Sequence, residues 1–184
     1  MSGKLVILSG PSGVGKDTVI DGWQARNRNV VRVVAYTTRA PRPGEVNGVD
    51  YHFTDRSEFL GKAQAGDFLE YKEVHGNFYA TPLTDMIKLL EQGKIAVLKI
   101  DVQGAISAME KRPDALSIML LPPSAEELER RIRQRGTEDL ATIDKRLRNA
   151  LEEIAQAHRY HHQVINEDLT TTISIIEVIM SEAK

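Results

Sequence analysis

The sequence predicts an α/β fold with a doubly wound parallel sheet. Two patterns along the 184 residues carry that prediction, and composition makes it feasible. Short apolar runs alternate with helical stretches, and the first run passes straight into a glycine-rich loop and a helix. A hydrophobic content of 41% suffices for one ordinary core with a small insertion.

The strand-like runs are residues 5–8, 30–36, 95–100, 117–121 and 163–165. Strands of a parallel sheet, covered on both faces, read as such continuous apolar runs. After the first run comes Gly10-Pro11-Ser12-Gly13-Val14-Gly15-Lys16-Asp17-Thr18, with a helical pattern starting near Lys16. Strand, glycines, lysine and helix together form a phosphate cradle. The glycines let consecutive backbone N–H groups face an anion, the helix N-terminus adds its positive dipole end, and Lys16 can reach terminal phosphates. A nucleoside triphosphate fits such a loop. Asp17 departs from the pattern, standing where a Ser or Thr hydroxyl would ligate Mg²⁺.

Further along, Thr81 is expected to cap a helix with Pro82 at its first position and Gly93 at its end. Ser124 and Glu127 make a capping box, and Gly136 can close the helix that follows it. Two segments break the alternation. Residues 37–80 hold Pro41, Pro43, Gly44 and Gly48, a helical patch near 57–65, and extended runs at 68–74 and 78–80 around His75-Gly76-Asn77. They predict an inserted, partly antiparallel subdomain. Residues 126–158 are rich in arginine and predict two helices acting as a movable flap.

A net charge of -2 argues against general nucleic-acid binding, which needs a basic face. The absence of cysteine excludes disulfides, thiol catalysis and thiolate metal sites, and fits a reducing compartment, so the cytoplasm is expected. No apolar run approaches the 18 or so residues of a membrane span, and no leader pattern precedes residue 4, so no membrane association is expected. The five histidines show no metal-ligand spacing.

The insertion opens with Thr37-Thr38-Arg39-Ala40-Pro41-Arg42-Pro43-Gly44-Glu45 and reaches Tyr51, spacing two arginines and a tyrosine along a proline-stiffened loop. Arginine forks meet phosphate oxygens bidentately, so this loop can hold a phosphate. Glu70, Tyr79, Thr81 and Asp101 lie near predicted strand ends, where ligands bind in open α/β sheets.

Taken together, the glycine loop, the Thr37 to Tyr51 motif, Gly76-Asn77-x-Tyr79, Ile100-Asp101-x-Gln103-Gly104 and Arg135-Gly136 resemble guanylate kinase over nearly the whole chain. The resemblance implies a P-loop core (1–36, 82–125 and 159–184), a mixed β/α GMP-binding subdomain (37–81) and a helical lid (126–158). It implies MgATP at the loop and phosphoryl transfer to GMP. Carried over by position, Gly10 to Thr18 and Asn166 would bind ATP. Arg39, Arg42, Tyr51 and Tyr79 would hold the GMP phosphate, and Glu70, Thr81 and Asp101 the base. Lys16, Arg131, Arg135 and Arg146 would act on the transferring phosphoryl group; Asp17 departs from the family pattern and, on its charge rather than on the resemblance, is expected to be a metal ligand.

Residue chemistry agrees with the base assignment: guanine presents two adjacent donors, N1–H and the 2-amino group, and one carboxylate accepts both. Arg131 and Arg135 stand four apart, so both are expected to point into a closing cleft. The chain departs from the family at Ala35, Ala80, Asp17 and Lys99, the last replacing an aspartate two residues before Asp101. Asp17 and Lys99 are expected to compensate one another; the other reading of Asp17 is a helix cap. Two further readings stay open, a kinase of another phosphorylated small molecule such as a sugar phosphate, and a non-catalytic guanylate kinase-like binding module.

Overall fold

A computed structural model of the chain describes residues 3–74, 76–134 and 140–183. Its main sheet is five-stranded and parallel: β1 (Lys4–Ser9), β2 (Val30–Arg32), β7 (Ile95–Lys99), β8 (Leu116–Leu121) and β9 (His162–Ile165), in the spatial order β2-β7-β1-β8-β9. Alternation along β1 explains the two layers. Val6 and Leu8 face one cluster with Trp23, Ile173 and Ile176, where α1 (Lys16–Arg26) packs against α7 (Leu169–Glu182). Leu5 and Ile7 face the other, with Met86 from α3 (Leu83–Glu91) and Ala105 and Ala108 from α4 (Val102–Lys111). Each face buries its own apolar set, which is what doubly wound means physically.

A second sheet of four strands has the order β4-β3-β6-β5, from β3 (Tyr36–Thr37), β4 (His52–Phe53), β5 (Phe68–Val74) and β6 (Asn77–Pro82). It has its own small core, with Phe59 of α2 (Arg56–Ala65) buried among Phe68, Phe78 and Ala80. The charged stretch folds into α5 (Ala125–Gln134) and α6 (Leu140–Ala155), which meet through Leu128, Ile132, Ile143 and Ala150. A 3₁₀ turn, Ala157–Arg159, leads on to β9. Among the described residues no helix is long and apolar enough to cross a membrane.

The structure corrects several sequence expectations. Residues 30–36 form two strands in different sheets rather than one. The Val33 N–H still donates to the Val97 carbonyl of the first sheet, whereas the Ala35 carbonyl accepts from His52 of the second. The run expected at 95–100 ends at Lys99. Thr81 is a strand residue, not a cap, because its hydroxyl donates to Glu70, and α3 starts after Pro82. Gly136 and His75 lie outside the described residues.

One irregularity positions a side chain. The register of β5 on β6 shifts between Phe68 and Glu70, which simple alternation would place on the same face. The shift lets Phe68 join the small core, Leu69 the core of the main sheet and Glu70 the cavity between them. Re-aiming a side chain is a usual effect of a β-bulge.

Candidate active site

The C-terminal end of β1 feeds the glycine loop. Gly10 has φ 146°, and a Cβ there would lie 2.5 Å from the Leu120 carbonyl, so backbone packing as well as conformation requires glycine. Gly15, at φ 98°, stands at the N-cap of α1 and supplies no side-chain cap, unlike Asp55, Asp101 and Asp168 at the starts of α2, α4 and α7. The first amides of α1 are therefore left to the solvent or a ligand. The Lys16 ammonium folds back onto the carbonyls of Gly10, at 2.5 Å, and Pro11, at 3.2 Å. Burial pulls it down to about 8, with Lys99 adding to the shift and Glu153, Asp17 and Asp101 opposing it.

Behind the loop, Asn166 is buried and donates to the Val14 carbonyl at 2.7 Å while accepting from Thr172. Arg131 turns to the same place. Its guanidinium reaches the carbonyls of Val14 and Asn166, and its Nε donates to Glu127 at 2.7 Å. Asp17 does not cap α1. Its Oδ1 lies 2.5 Å from Lys99 and 3.3 Å from Arg32. Burial alone would raise the Asp17 carboxyl, but these two cations outweigh it and hold the group below its ordinary range.

Across the cleft, Thr37 and Thr38 fasten the arginine loop to β6. The Thr37 hydroxyl donates to the Phe78 carbonyl, and the Thr38 hydroxyl accepts from the Phe78 N–H. Arg39 makes a two-pronged pair with Glu45 at 2.8 and 2.9 Å and lies 5.6 Å from the centre of the Tyr51 ring. Glu45 also accepts the Arg42 N–H, so one carboxylate organises both arginines.

Glu70 is 3% exposed and accepts from the Thr81 hydroxyl at 2.6 Å. Burial, reinforced by the charge of Asp101, raises its carboxyl to about 7 against the pull of Thr81 and Lys111. Asp101 caps α4 by accepting the Gly104 N–H at 2.7 Å. A Cβ on Gly104 would lie 3.1 Å from Glu70 Oε2 and would press on that carboxylate.

A cavity of about 310 Å³ separates these two walls. Of the residues singled out by sequence, it is lined by Gly10, Ser12, Gly13, Gly15, Lys16 and Asp17 on one side and by Arg39, Arg42, Tyr51, Glu70, Tyr79, Asp101 and Arg146 around the rest. Pro11, Val14, Thr18, Thr81, Asn166 and Arg131 do not line it. Arg135 lies outside the described residues. Lys72, Asn149 and Glu153 also line the cavity and were not anticipated. Arg146, Asn149 and Glu153 repeat at helical spacing on α6, a signal available in the sequence. Burial first, and then Asp101, raise the Glu153 carboxyl, opposed by Lys16 and the Ser12 N–H.

The guanylate kinase family model matches residues 2–183. The chain belongs to the guanylate kinase family. It is 45% identical over 179 residues to a guanylate kinase of Trichormus variabilis, covering 97% of this chain and 90% of the relative. A guanylate kinase of Clostridium perfringens is 41% identical over 182 residues, or 99% of this chain and 84% of the relative. Among solved structures, the guanylate kinase of Anaplasma phagocytophilum superposes with a TM-score of 0.81 at 37% identity, covering 99% of this chain and 87% of that one. A shikimate kinase from Bacteroides thetaiotaomicron matches with a TM-score of 0.53 at 14% identity, covering 97% and 98% of the two chains, and shares the fold alone. This guanylate kinase family member is thus an enzyme, a P-loop transferase of the nucleoside monophosphate kinase class.

Proposed function

We propose that the chain transfers the terminal phosphoryl group of ATP to GMP, giving ADP and GDP. The observation that carries this reading is a cavity with a phosphate cradle on one wall and, opposite, an arginine loop beside a buried carboxylate. Gly10 to Thr18 would cradle the ATP phosphates, with Lys16 exchanging its loop carbonyls for phosphate oxygens, and Asn166 would brace the loop from behind. Arg39, Arg42, Tyr51 and Tyr79 would hold the GMP phosphate. Glu70, aided by Thr81 and Asp101, would accept the two guanine donors. Adenine would turn its N1 lone pair toward the same carboxylate, a repulsion that gives the site its selectivity.

Little covalent chemistry is asked of the protein. A phosphate monoester, with a second pKa near 6, is already mostly a dianion at neutral pH and attacks without a general base. Its oxygen bonds to the γ-phosphorus as the bond to the bridging oxygen of ADP breaks. Lys16 and Arg146 would stabilise the charge passing between them, and Arg131 and Arg135 complete the arginine set the family implies. Residues 37–81 would then act as the acceptor subdomain, 126–158 as the lid that excludes water, and the rest as the core.

Among the described residues no group of three His, Cys, Asp or Glu could hold a metal by itself. The half-exposed Asp17 carboxylate, lining the cavity beside Lys16, fits a Mg²⁺ that would arrive with the phosphates and take Asp17 as its protein ligand. When bound, it would neutralise phosphate charge. The reaction fits a cytoplasmic enzyme whose partners are ATP and GMP and not nucleic acid. An ADP-release assay over GMP, AMP, CMP, UMP and several sugar phosphates tests the proposal, and faster turnover of any acceptor other than GMP would refute it.

A further inference from the structure

We propose that Lys99 is a further catalytic residue, the cation that meets the acceptor's phosphate where it faces the phosphate-binding loop. This deepens the ATP-to-GMP reading and rests on it. Lys99 ends β7 and pairs in register with Leu8, so it emerges beside the strand that feeds the loop. It lines the cavity, and its side chain is 13% exposed. Its ammonium touches both walls, lying 2.5 Å from Asp17 Oδ1 in the first turn of α1 and 5.0 Å from the ring centre of Tyr51 in the arginine loop. Arg32 makes a parallel pair of contacts, to Asp17 and to the Val49 carbonyl, yet does not line the cavity. The pairing with Asp17 therefore has a structural duplicate, and what Lys99 alone adds is a charge facing the ligand space.

The chemistry suits the position. An ammonium is a compact charge with three donors on a flexible stem, so it can turn from a carboxylate to a phosphate while keeping its other contacts. The Asp17 side chain is 49% exposed, which leaves its hold on Lys99 screened and easily exchanged for a phosphate dianion. Two phosphate-bearing substrates meeting head-on repel each other, and a cation placed between them relieves that repulsion most as the new bond forms.

Calorimetric dissociation constants for GMP and for guanosine, which lacks the phosphate, measure this directly on the full chain without ATP. In Lys99→Met the affinity for GMP should fall tenfold or more, about the strength of one charged hydrogen bond, with guanosine changed by less than about twofold. Turnover should fall by about 10². Lys99→Arg should recover part of both, and Asp17→Asn should leave the ratio of GMP to guanosine affinity intact. A ratio unchanged in Lys99→Met overturns the proposal, as does an equal loss for both ligands, which would make Lys99 a brace. A wild-type chain that binds guanosine as tightly as GMP, or prefers another acceptor, would instead overturn the reading beneath it.

Discussion

Replacing Glu70 by glutamine should make the protein more stable and less active at once. In the folded chain burial keeps the Glu70 proton on up to about pH 7, against the ordinary value of 4.5. Between those values the folded state binds more protons than the unfolded state, so stability falls as pH rises. The stabilisation is complete below pH 4.5 and gone above about pH 7. A gap of roughly 2.5 pH units, at about 1.4 kcal/mol each, gives about 3 kcal/mol. Glutamine does not titrate, can still accept from Thr81, and offers an amide donor toward Asp101. Glu70→Gln should therefore match the wild type in melting temperature near pH 4.5 and exceed it by roughly 6 to 12 °C at pH 8. GMP turnover should meanwhile drop by about 10⁴, because the doubly accepting carboxylate is gone. Thermal melts of both proteins from pH 4.5 to 8 measure the difference, and groups titrating in both, such as Glu153, cancel. A melting gap that does not widen with pH would refute the assignment of the raised proton affinity to Glu70.

Three other perturbations probe the cavity and the residues that brace its glycine loop. Arg146→Ala should lower kcat by about 10³ with a much smaller change in nucleotide affinity, since its charge matters most at the transferring group; steady-state kinetics showing only a KM defect would remove it from the chemistry. Gly104→Ala should weaken GMP and guanosine alike, because the new methyl meets Glu70 Oε2 at 3.1 Å; unchanged guanosine affinity in calorimetry would show that the carboxylate can yield. Asn166→Ala removes the 2.7 Å donor to the Val14 carbonyl and the nearer acceptor of the Thr172 hydroxyl, leaving the longer contacts from Arg131 and to Ile165, and should cost about 1 kcal/mol in urea unfolding, together with weaker ATP binding.

The main sheet was legible because its strands are apolar on both faces, and the glycine loop because strand, glycines and lysine coincide in a short stretch. What stayed hidden depended on partners far away in the chain. Residues 30–36 read as one strand, since Val33 and Ala35 look alike in sequence while their backbones bond to Val97 and His52 in different sheets. Thr81 before Pro82 has the form of a helix cap, and only the bulge that brings Glu70 beside it reveals the hydroxyl's real partner. Arg131 was expected in the cleft from its spacing, yet Glu127 one turn earlier and two loop carbonyls hold it behind the loop. Asp17 and Lys99 could be suspected as a pair from their reversed charges, but not the second tie from Arg32.

The bare N-terminus of α1 has a consequence beyond the reaction. Where α2, α4 and α7 begin on an aspartate of their own, α1 begins on Gly15, and its first amides stay open to an external anion. On the proposed reading, the triphosphate bound there would also be a component of the folded structure. A triphosphate present at 100 times its dissociation constant would add about 2.7 kcal/mol and thin the unfolded population about a hundredfold. Survival against heat and proteolysis should then follow nucleotide supply, with the idle, starved protein the first to be cleared.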